Sequence, residues 1–189
     1  MNDGDGGRFF TIGHSNRSLD EFLELLQEGG IEQLVDVRKL PGSTKYPHFN
    51  ADTLAASLSE VGIDFIRSAP LTGRRPVSKE VSFEVNAWWE NRSFHNYADH
   101  ALSEEFSAGL AELLQNPQAP RVALMCSEAV WWRCHRRIIT DHLLAHGELV
   151  QHIIDKHQIK AAELSAGALI GSDKGVTYPV VKETEPGSP

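Results

Sequence analysis

The most constraining feature of the sequence is its alternation of short apolar segments with longer amphipathic segments. The apolar runs are RFFTIG, IEQLVDVR, IDFIRS, RVALMC and ELVQHII, and each has the length of a buried strand. Segments with helical spacing, about ten to fifteen residues long, separate them. This alternation predicts an α/β fold with three layers, in which helices cover both faces of a mostly parallel sheet of about five strands.

Local signals predict where several of the helices begin and end. Ser18 is the predicted N-cap of a helix over LDEFLELLQEGG, and Asn50 or Asp52 can cap ADTLAASLSEVG. A third helix is expected around SEEFSAGLAELLQ. A fourth begins near residues 135–137 and ends at Gly147, since glycine commonly follows the last helical turn.

Length and composition predict one globular domain with short extensions. We expect residues 1–7 to be a disordered leader, residues 8–154 to form the α/β domain, and residues 155–189 to form a tail that could contain a small hairpin turning at Asp173–Gly175. No apolar stretch has the length of a membrane span, and the acidic, glycine-rich N-terminus is unlike a signal peptide. The expected location is therefore the cytoplasm, with no membrane partner.

Polar side chains follow several of the predicted strands. Because ligands in open parallel sheets bind beyond the carboxyl ends of the strands, we expect these side chains to form a binding site. The formal charge of −8 gives no overall attraction to nucleic acid, so any anion must be bound by a local basic cluster. The candidate anion- or substrate-binding residues are Ser15, Asn16, Arg38, Glu128, Arg133 and Arg136.

Cys126 is the candidate nucleophile. It closes an apolar strand and precedes a helix, so main-chain N–H groups and the helix dipole would favour its thiolate. The alternative is a small buried hydrophobic residue. Cys134 is predicted to lie on the helix in phase with Ile138 and to pack against the sheet, with a resolving or ligating thiol as the alternative.

His14 and His135 are the candidates for proton transfer, because histidine has the unperturbed pKa nearest neutrality. The alternative for each is a hydrogen-bonded structural histidine. Arg38 could form an ion pair with Asp36 that orients a loop, or grip a phosphate or carboxylate with two parallel hydrogen bonds. We favour the binding role for Arg38.

Metal binding is not expected, because Cys126, Cys134 and His135 lack the paired CxxC spacing typical of zinc sites. Glu128 or His14 would have to complete such a site. No other cofactor is predicted. Four tryptophans could stack a nucleic-acid base, although tryptophans adjacent in sequence usually pack, one ring in the core and one at its edge.

The stretches TIGHSNRSLDEFLELLQEGGIEQLVDVRKLPGS, NYADHALSEEF and ALMCSEAVWWRCHRRIITDHLLAHGELVQHI resemble the DUF488 family of uncharacterised prokaryotic proteins, over residues 9–154. One departure is AVWW, where many members have a segment containing proline. The resemblance implies a bacterial or archaeal cytosolic α/β protein and implies no activity. The residues that match the family pattern are Gly13, His14, Ser15, Asp36, Arg38, Cys126, Glu128, Cys134, His135 and Arg136.

The order of strand, DVR, strand, cysteine, loop, arginine and helix also resembles rhodanese-like sulfurtransferases and, more remotely, cysteine-dependent phosphatases. Those enzymes surround a thiolate with main-chain N–H groups, generally in a loop with glycine or other small residues. Here the loop SEAVWW lacks glycine, Glu128 follows two residues after Cys126, and Arg133 follows seven rather than six residues after it. The likeness is an analogy of chemistry only.

The sequence therefore predicts a cytosolic enzyme in which Cys126 acts as thiolate nucleophile or sulfur carrier on a small anionic or nucleotide-like substrate. Sulfur transfer and phosphate-ester chemistry both fit this prediction. The alternative is a nucleic-acid or nucleotide binding module without catalysis. A metal-binding Cys/His site is the third hypothesis.

Overall fold

A computed structural model describes residues 7–115 and 121–181. Within these residues the chain forms five α-helices and eight strands, joined by loops and short 3₁₀ turns. In chain order they are β1 (Phe9–Gly13), α1 (Leu19–Glu28), β2 (Gln33–Asp36), α2 (Ala51–Glu60), β3 (Asp64–Arg67), α3 (Arg92–His100), α4 (Glu104–Leu114), β4 (Val122–Cys126), α5 (Arg136–Ala145), β5 (Val150–Asp155), β6 (Gln158–Ala161), β7 (Leu169–Ile170) and β8 (Val176–Thr177).

The main sheet has six strands in the order β3-β2-β4-β1-β5-β6. Neighbours from β3 to β5 run parallel, and β6 pairs antiparallel with β5. All five predicted strands are present, so the prediction of an α/β fold with a mostly parallel sheet is confirmed. The strand count was too low because every side chain of β6 is exposed, which leaves no burial pattern in its sequence.

The predicted helix starts follow from local hydrogen bonds. The Ser18 side chain accepts from the backbone N–H of Glu21, and the Glu21 carboxylate accepts from the backbone N–H of Ser18, a reciprocal capping box. Asn50, rather than Asp52, is the N-cap residue of α2. Gly147 follows α5 with φ +86, a conformation that favours glycine and ends the helix.

Two hydrophobic clusters take up the side chains that alternate along the central strands. Phe9 belongs to one cluster, whereas Phe10 belongs to the other, because successive strand residues point to opposite faces. Helices α1 and α2 contribute to the cluster of Phe10, and α3, α4 and α5 contribute to that of Phe9. The connections that follow β1 and β2 therefore leave the sheet on the side opposite to the one that follows β4. This arrangement opens a crevice beyond the carboxyl end of β4.

Between β5 and residue 181, the last described residue, the chain packs on the rest of the described domain. β7 and β8 form an antiparallel pair, and the turn between them contains Asp173–Gly175. The buried Tyr178 hydroxyl donates to Asp141 Oδ2 of α5 at 2.7 Å. Of the predicted leader, only Gly7 is described, and it is buried; residues 1–6 and 182–189 lie outside the described part. None of the helices described has both the length and the hydrophobicity needed to cross a membrane.

Candidate functional site

The carboxyl ends of β1, β2 and β4 lie side by side. In the sheet register Gly13 is opposite Cys126, and Asp36 is opposite Met125. Backbone hydrogen bonds extend this contact past the strands, from His14 N to Cys126 O at 2.9 Å and from Val37 N to Met125 O at 3.0 Å. The polar residues after these three strands are therefore close in space.

Gly13 allows the segment after β4 to lie directly against β1. A Cβ atom at this position would overlap the carbonyl oxygen of Glu128, which is backbone and cannot rotate away. One residue further on, Ser15 N donates to Ser127 O at 3.0 Å. The glycine of the TIGHS stretch is therefore required by a close approach between two backbone segments.

A cleft of about 360 Å³ opens beyond β4. Helix α3 contributes Phe94 and Tyr97 to its wall. The buried or half-buried residues that carry its chemistry are Cys126, Cys134 and His135, and the exposed cations that border it are Lys39, Arg74 and Arg133. A second cleft, of about 610 Å³, shares Arg38, Arg74 and Glu128 with the first and contains His14, Ser15 and Asn16.

The two cysteines form a reduced pair. Both are free thiols and buried, and their sulfur atoms and a ring nitrogen of His135 all lie within 4.8 Å of one another. Cys134 is not on the helix as predicted: α5 begins at Arg136, and Cys134 lies in extended backbone between a 3₁₀ turn and the helix. There its sulfur accepts from the backbone N of Arg136 at 3.5 Å and from Arg136 Nε at 3.3 Å.

The two thiols differ in what surrounds them, and their pKa values are shifted in opposite directions. A hydrogen bond with Cys134, together with burial, raises the pKa of Cys126 to about 12. Burial would also raise the pKa of Cys134, but the hydrogen bond from Cys126 and the charge and hydrogen bonds of Arg136 lower it to about 6. The cationic group contacts the second cysteine and not the first, which favours Cys134 over the predicted Cys126 as the thiolate.

His135 has its two ring nitrogens in different surroundings, with Nδ1 on the side of the thiols. Its Nε2 is 3.1 Å from the carbonyl oxygen of Val37, which can only accept, so Nε2 carries the proton of the neutral ring. Nδ1 is then a free acceptor, 3.7 Å from Cys134 Sγ. Gly73 lies directly against the ring, since a Cβ atom at this position would be 2.7 Å from Nδ1. Tyr97 packs against its face at 4.8 Å between ring centroids.

Arg136 does not face a ligand as predicted. Its side chain is 1% exposed, and its terminal nitrogens donate to Glu128 O at 2.6 Å and to Thr11 Oγ1 at 3.5 Å. Thr11 is in turn 2.7 Å from His152 Nδ1. The guanidinium is directed into the protein, where it donates hydrogen bonds to the loop after β4 and to the Cys134 sulfur.

Arg38 and His14 form a second, closed cluster. Arg38 makes a buried two-bonded ion pair with Asp36, at 2.9 and 2.8 Å, and donates to Phe49 O at 2.8 Å and to His14 Nε2 at 3.3 Å. The ion-pair alternative for Arg38 is thus the one observed. His14 donates from Nδ1 to Ser15 O, and burial above all lowers its pKa to about 4. Both ring nitrogens of His14 are therefore engaged within the protein, which agrees with the structural alternative, and its predicted role in proton transfer stays a prediction.

The tryptophans mostly pack within the protein. Trp131 stacks on His152 with ring centroids 4.3 Å apart, and Trp89 is buried under the guanidinium of Arg137. Trp132 is 48% exposed. The sequence interpretation missed Gly73 and Tyr97; a glycine within the irregular segment after β3 was the available signal for the first.

A metal ion would have three ligand atoms here, from Cys126, Cys134 and His135. Among the described residues no fourth histidine, cysteine or carboxylate joins this group, whereas structural zinc sites have four protein ligands. Arg136 already donates two hydrogen bonds to the Cys134 sulfur, which supplies the thiolate with a positive partner without a metal. The predicted absence of a metal stays a prediction.

The fold and site together define a mixed α/β protein with a dithiol cleft at the carboxyl edge of its sheet. The family model described as "Domain of unknown function DUF488" matches residues 18–143, and the chain belongs to this family. The match contains both cysteines and begins after the TIGHS stretch. Searches of curated proteins and of solved structures found no match.

Proposed function

We propose that this protein is a cytosolic, thiol-dependent enzyme that acts on a small anionic substrate with the thiolate of Cys134. The observation that carries the proposal is the pair of hydrogen bonds from Arg136 to the Cys134 sulfur, in a residue that lines an open cleft. A thiolate is the nucleophilic form of cysteine, and a buried one needs such a partner.

The cleft suits a small, negatively charged molecule. Its volume of about 360 Å³ lies within the range of small-molecule sites. In the described part of the chain no carboxylate lies within 4.0 Å of the terminal nitrogens of Lys39, Arg74 or Arg133, so these three cations can pair with a ligand. In this proposal they bind the substrate's charge, while His135 Nδ1 exchanges protons with the thiols.

The site test is the pH dependence of alkylation by iodoacetamide, followed by mass spectrometry of the labelled peptide. In a Cys126→Ala variant the rate at Cys134 should be constant above the thiol pKa and fall as the pH drops through it, because only the thiolate reacts. In the wild-type protein the pKa of Cys134 is lowered to about 6. Removing the hydrogen bond from Cys126 should raise this pKa, and with it the midpoint of the alkylation curve in the variant. In a Cys134→Ala variant Cys126 should react more slowly at pH 7 than Cys134 does in the first variant, because burial still raises the pKa of Cys126 after the hydrogen bond with Cys134 is removed.

Arg136 supplies the matched comparison. Arg136→Lys keeps a charge but loses the Nε donor, and should raise the midpoint towards the ordinary thiol value of about 8.5. Arg133→Lys, at an exposed position, should leave the midpoint unchanged. A Cys134 that is no more reactive at pH 7 than an ordinary thiol would contradict the proposal.

Two further measurements separate the alternatives. Stoichiometric zinc in protein purified without chelator would favour the metal hypothesis. Binding of single-stranded nucleic acid that weakens steeply with salt would favour a binding module. The formal charge of −8 and the packing of Trp89 and Trp131 within the protein speak against that second function.

A further inference from the structure

We infer that the site reduces disulfides that carry negative charge, with Cys134 as the attacking thiolate and Cys126 as the resolving thiol. This inference rests on the proposed function and names its substrate class. It starts from the second cysteine, because a single nucleophile would be enough for acyl or phosphoryl transfer. Here two free thiols lie within 4.8 Å of each other in one cleft.

The backbone around the pair allows the two sulfurs to join. Cys126 is held at the end of β4, where its carbonyl accepts from His14 N. Cys134 lies in non-helical backbone, with φ −128 and ψ 146, between a 3₁₀ turn and α5. A disulfide needs the sulfurs about 2 Å apart. The irregular segment can supply this small movement while β4 stays fixed.

The chemistry balances in two exchanges. In the first, the Cys134 thiolate attacks one sulfur of a substrate R–S–S–R′; the Cys134–S–R bond forms, and R′S⁻ leaves with the electron pair. In the second, Cys126 gives its proton to His135 Nδ1 and attacks the Cys134 sulfur. The Cys126–Cys134 disulfide forms, and RS⁻ leaves and takes that proton. The substrate is reduced to two thiols, and a small external dithiol returns the protein pair to its reduced state.

The surroundings of the thiols select for charge. Three exposed cations, Lys39, Arg74 and Arg133, border the cleft. The apolar side chains of Leu40 and Phe94 also line it. An anionic group on the substrate can therefore pair with a guanidinium or ammonium while its carbon skeleton contacts apolar side chains. Leaving thiolates are anionic as well, so the same cations stabilise the departing sulfur.

The probe is 5,5′-dithiobis(2-nitrobenzoate), a disulfide with two carboxylates whose leaving group absorbs visible light. Wild-type protein should release two thionitrobenzoate ions per chain, and its final mass should be that of the internal disulfide. Cys126→Ala should release one and retain the other as a mixed disulfide on Cys134. Cys126→Ser serves as a second variant if the alanine variant does not fold. Cys134→Ala should react slowly.

The outcomes distinguish the two proposals. A wild-type protein that reacts rapidly but keeps the mixed disulfide on Cys134 overturns the resolving role and leaves the nucleophile intact. A Cys134 that does not react overturns both.

Charge selection is tested with the neutral disulfide 4,4′-dithiodipyridine. The double variant Arg74→Met/Arg133→Met should slow the dianionic probe at least tenfold relative to the neutral one. Lys79→Met, an exposed cation outside the cleft, should change neither rate. An equal effect of the double variant on both probes would overturn the charged substrate class.

Discussion

Two clusters lie at the same edge of the sheet, and each contains a histidine and an arginine. They differ in whether the hydrogen-bonding groups of these side chains are all used within the protein. The closed cluster contains His14, Asp36, Arg38 and Phe49, and the hydrogen-bonding partners of its histidine and arginine lie within the fold. The dithiol cluster contains Cys126, Cys134, His135 and Arg136, and its two thiols and its histidine line the open cleft.

The difference between the two histidines is decided by what each ring nitrogen contacts. His14 has a donor, Arg38, on its second nitrogen, so its remaining lone pair is occupied. His135 has only thiols near its second nitrogen. The position of a histidine at a strand end beside an arginine therefore does not predict a catalytic role. The partner of each ring nitrogen decides whether that nitrogen can exchange a proton.

The largest expected effect tests whether the closed cluster is structural. Asp36→Ala leaves the buried Arg38 charge without its partner and should lower the free energy of unfolding by about 3–5 kcal/mol in urea titrations. Glu24→Ala, which removes an exposed pair with Lys156, should cost less than about 1 kcal/mol. Similar losses in the two variants would show that the Asp36 pair is not essential.

The next effect tests the close approach between the end of β1 and the backbone segment that follows β4. Gly13→Ala places a methyl group on the Glu128 carbonyl and should lower the free energy of unfolding by about 3 kcal/mol, since backbone must move. The matched control is Gly42→Ala, where the nearest atom to the new Cβ would be 3.8 Å away. If Gly13→Ala is as stable as this control, the close approach does not exist.

The smallest effect tests the dithiol cluster. It should change the rate of thionitrobenzoate release rather than the free energy of unfolding. Gly73→Ala puts a methyl group 2.7 Å from His135 Nδ1 and displaces the ring. The release of the second thionitrobenzoate should slow about tenfold, because Cys126 loses its proton acceptor. The first release should change little. If only the first release becomes slower, His135 acts on the attacking thiol, Cys134, and not on the resolving thiol, Cys126.

Much of the fold follows from local sequence patterns. Of the five predicted strands, β1 and β4 are apolar runs that are buried along their whole length, and Ser18 caps α1 through hydrogen bonds with Glu21. Helix α3 escaped prediction because RSFHNYADH is polar and its burial depends on contacts with distant segments, such as the hydrogen bond from Tyr97 to Leu71 O. Edge strand β6 escaped because all its side chains are exposed.

The location of the site followed from the strand-end rule, but the roles within it did not. Which cysteine ionises depends on where the Arg136 guanidinium points, and that depends on Cys134 lying before the helix and not on it. Sequence spacing predicted Cys134 on the helix, in phase with Ile138. Side-chain direction over a single irregular turn is set by tertiary packing, which local periodicity does not contain.

Arg136 ties the oxidation state of the cysteines to the stability of the whole domain. One side chain contacts β1 through Thr11, the loop after β4 through Glu128, and the sulfur of Cys134. If that sulfur enters a disulfide, its negative charge is lost and the buried guanidinium keeps only neutral partners. The protein with the disulfide formed should therefore be less stable to unfolding than the protein with the dithiol, and it is the form that the external dithiol converts back.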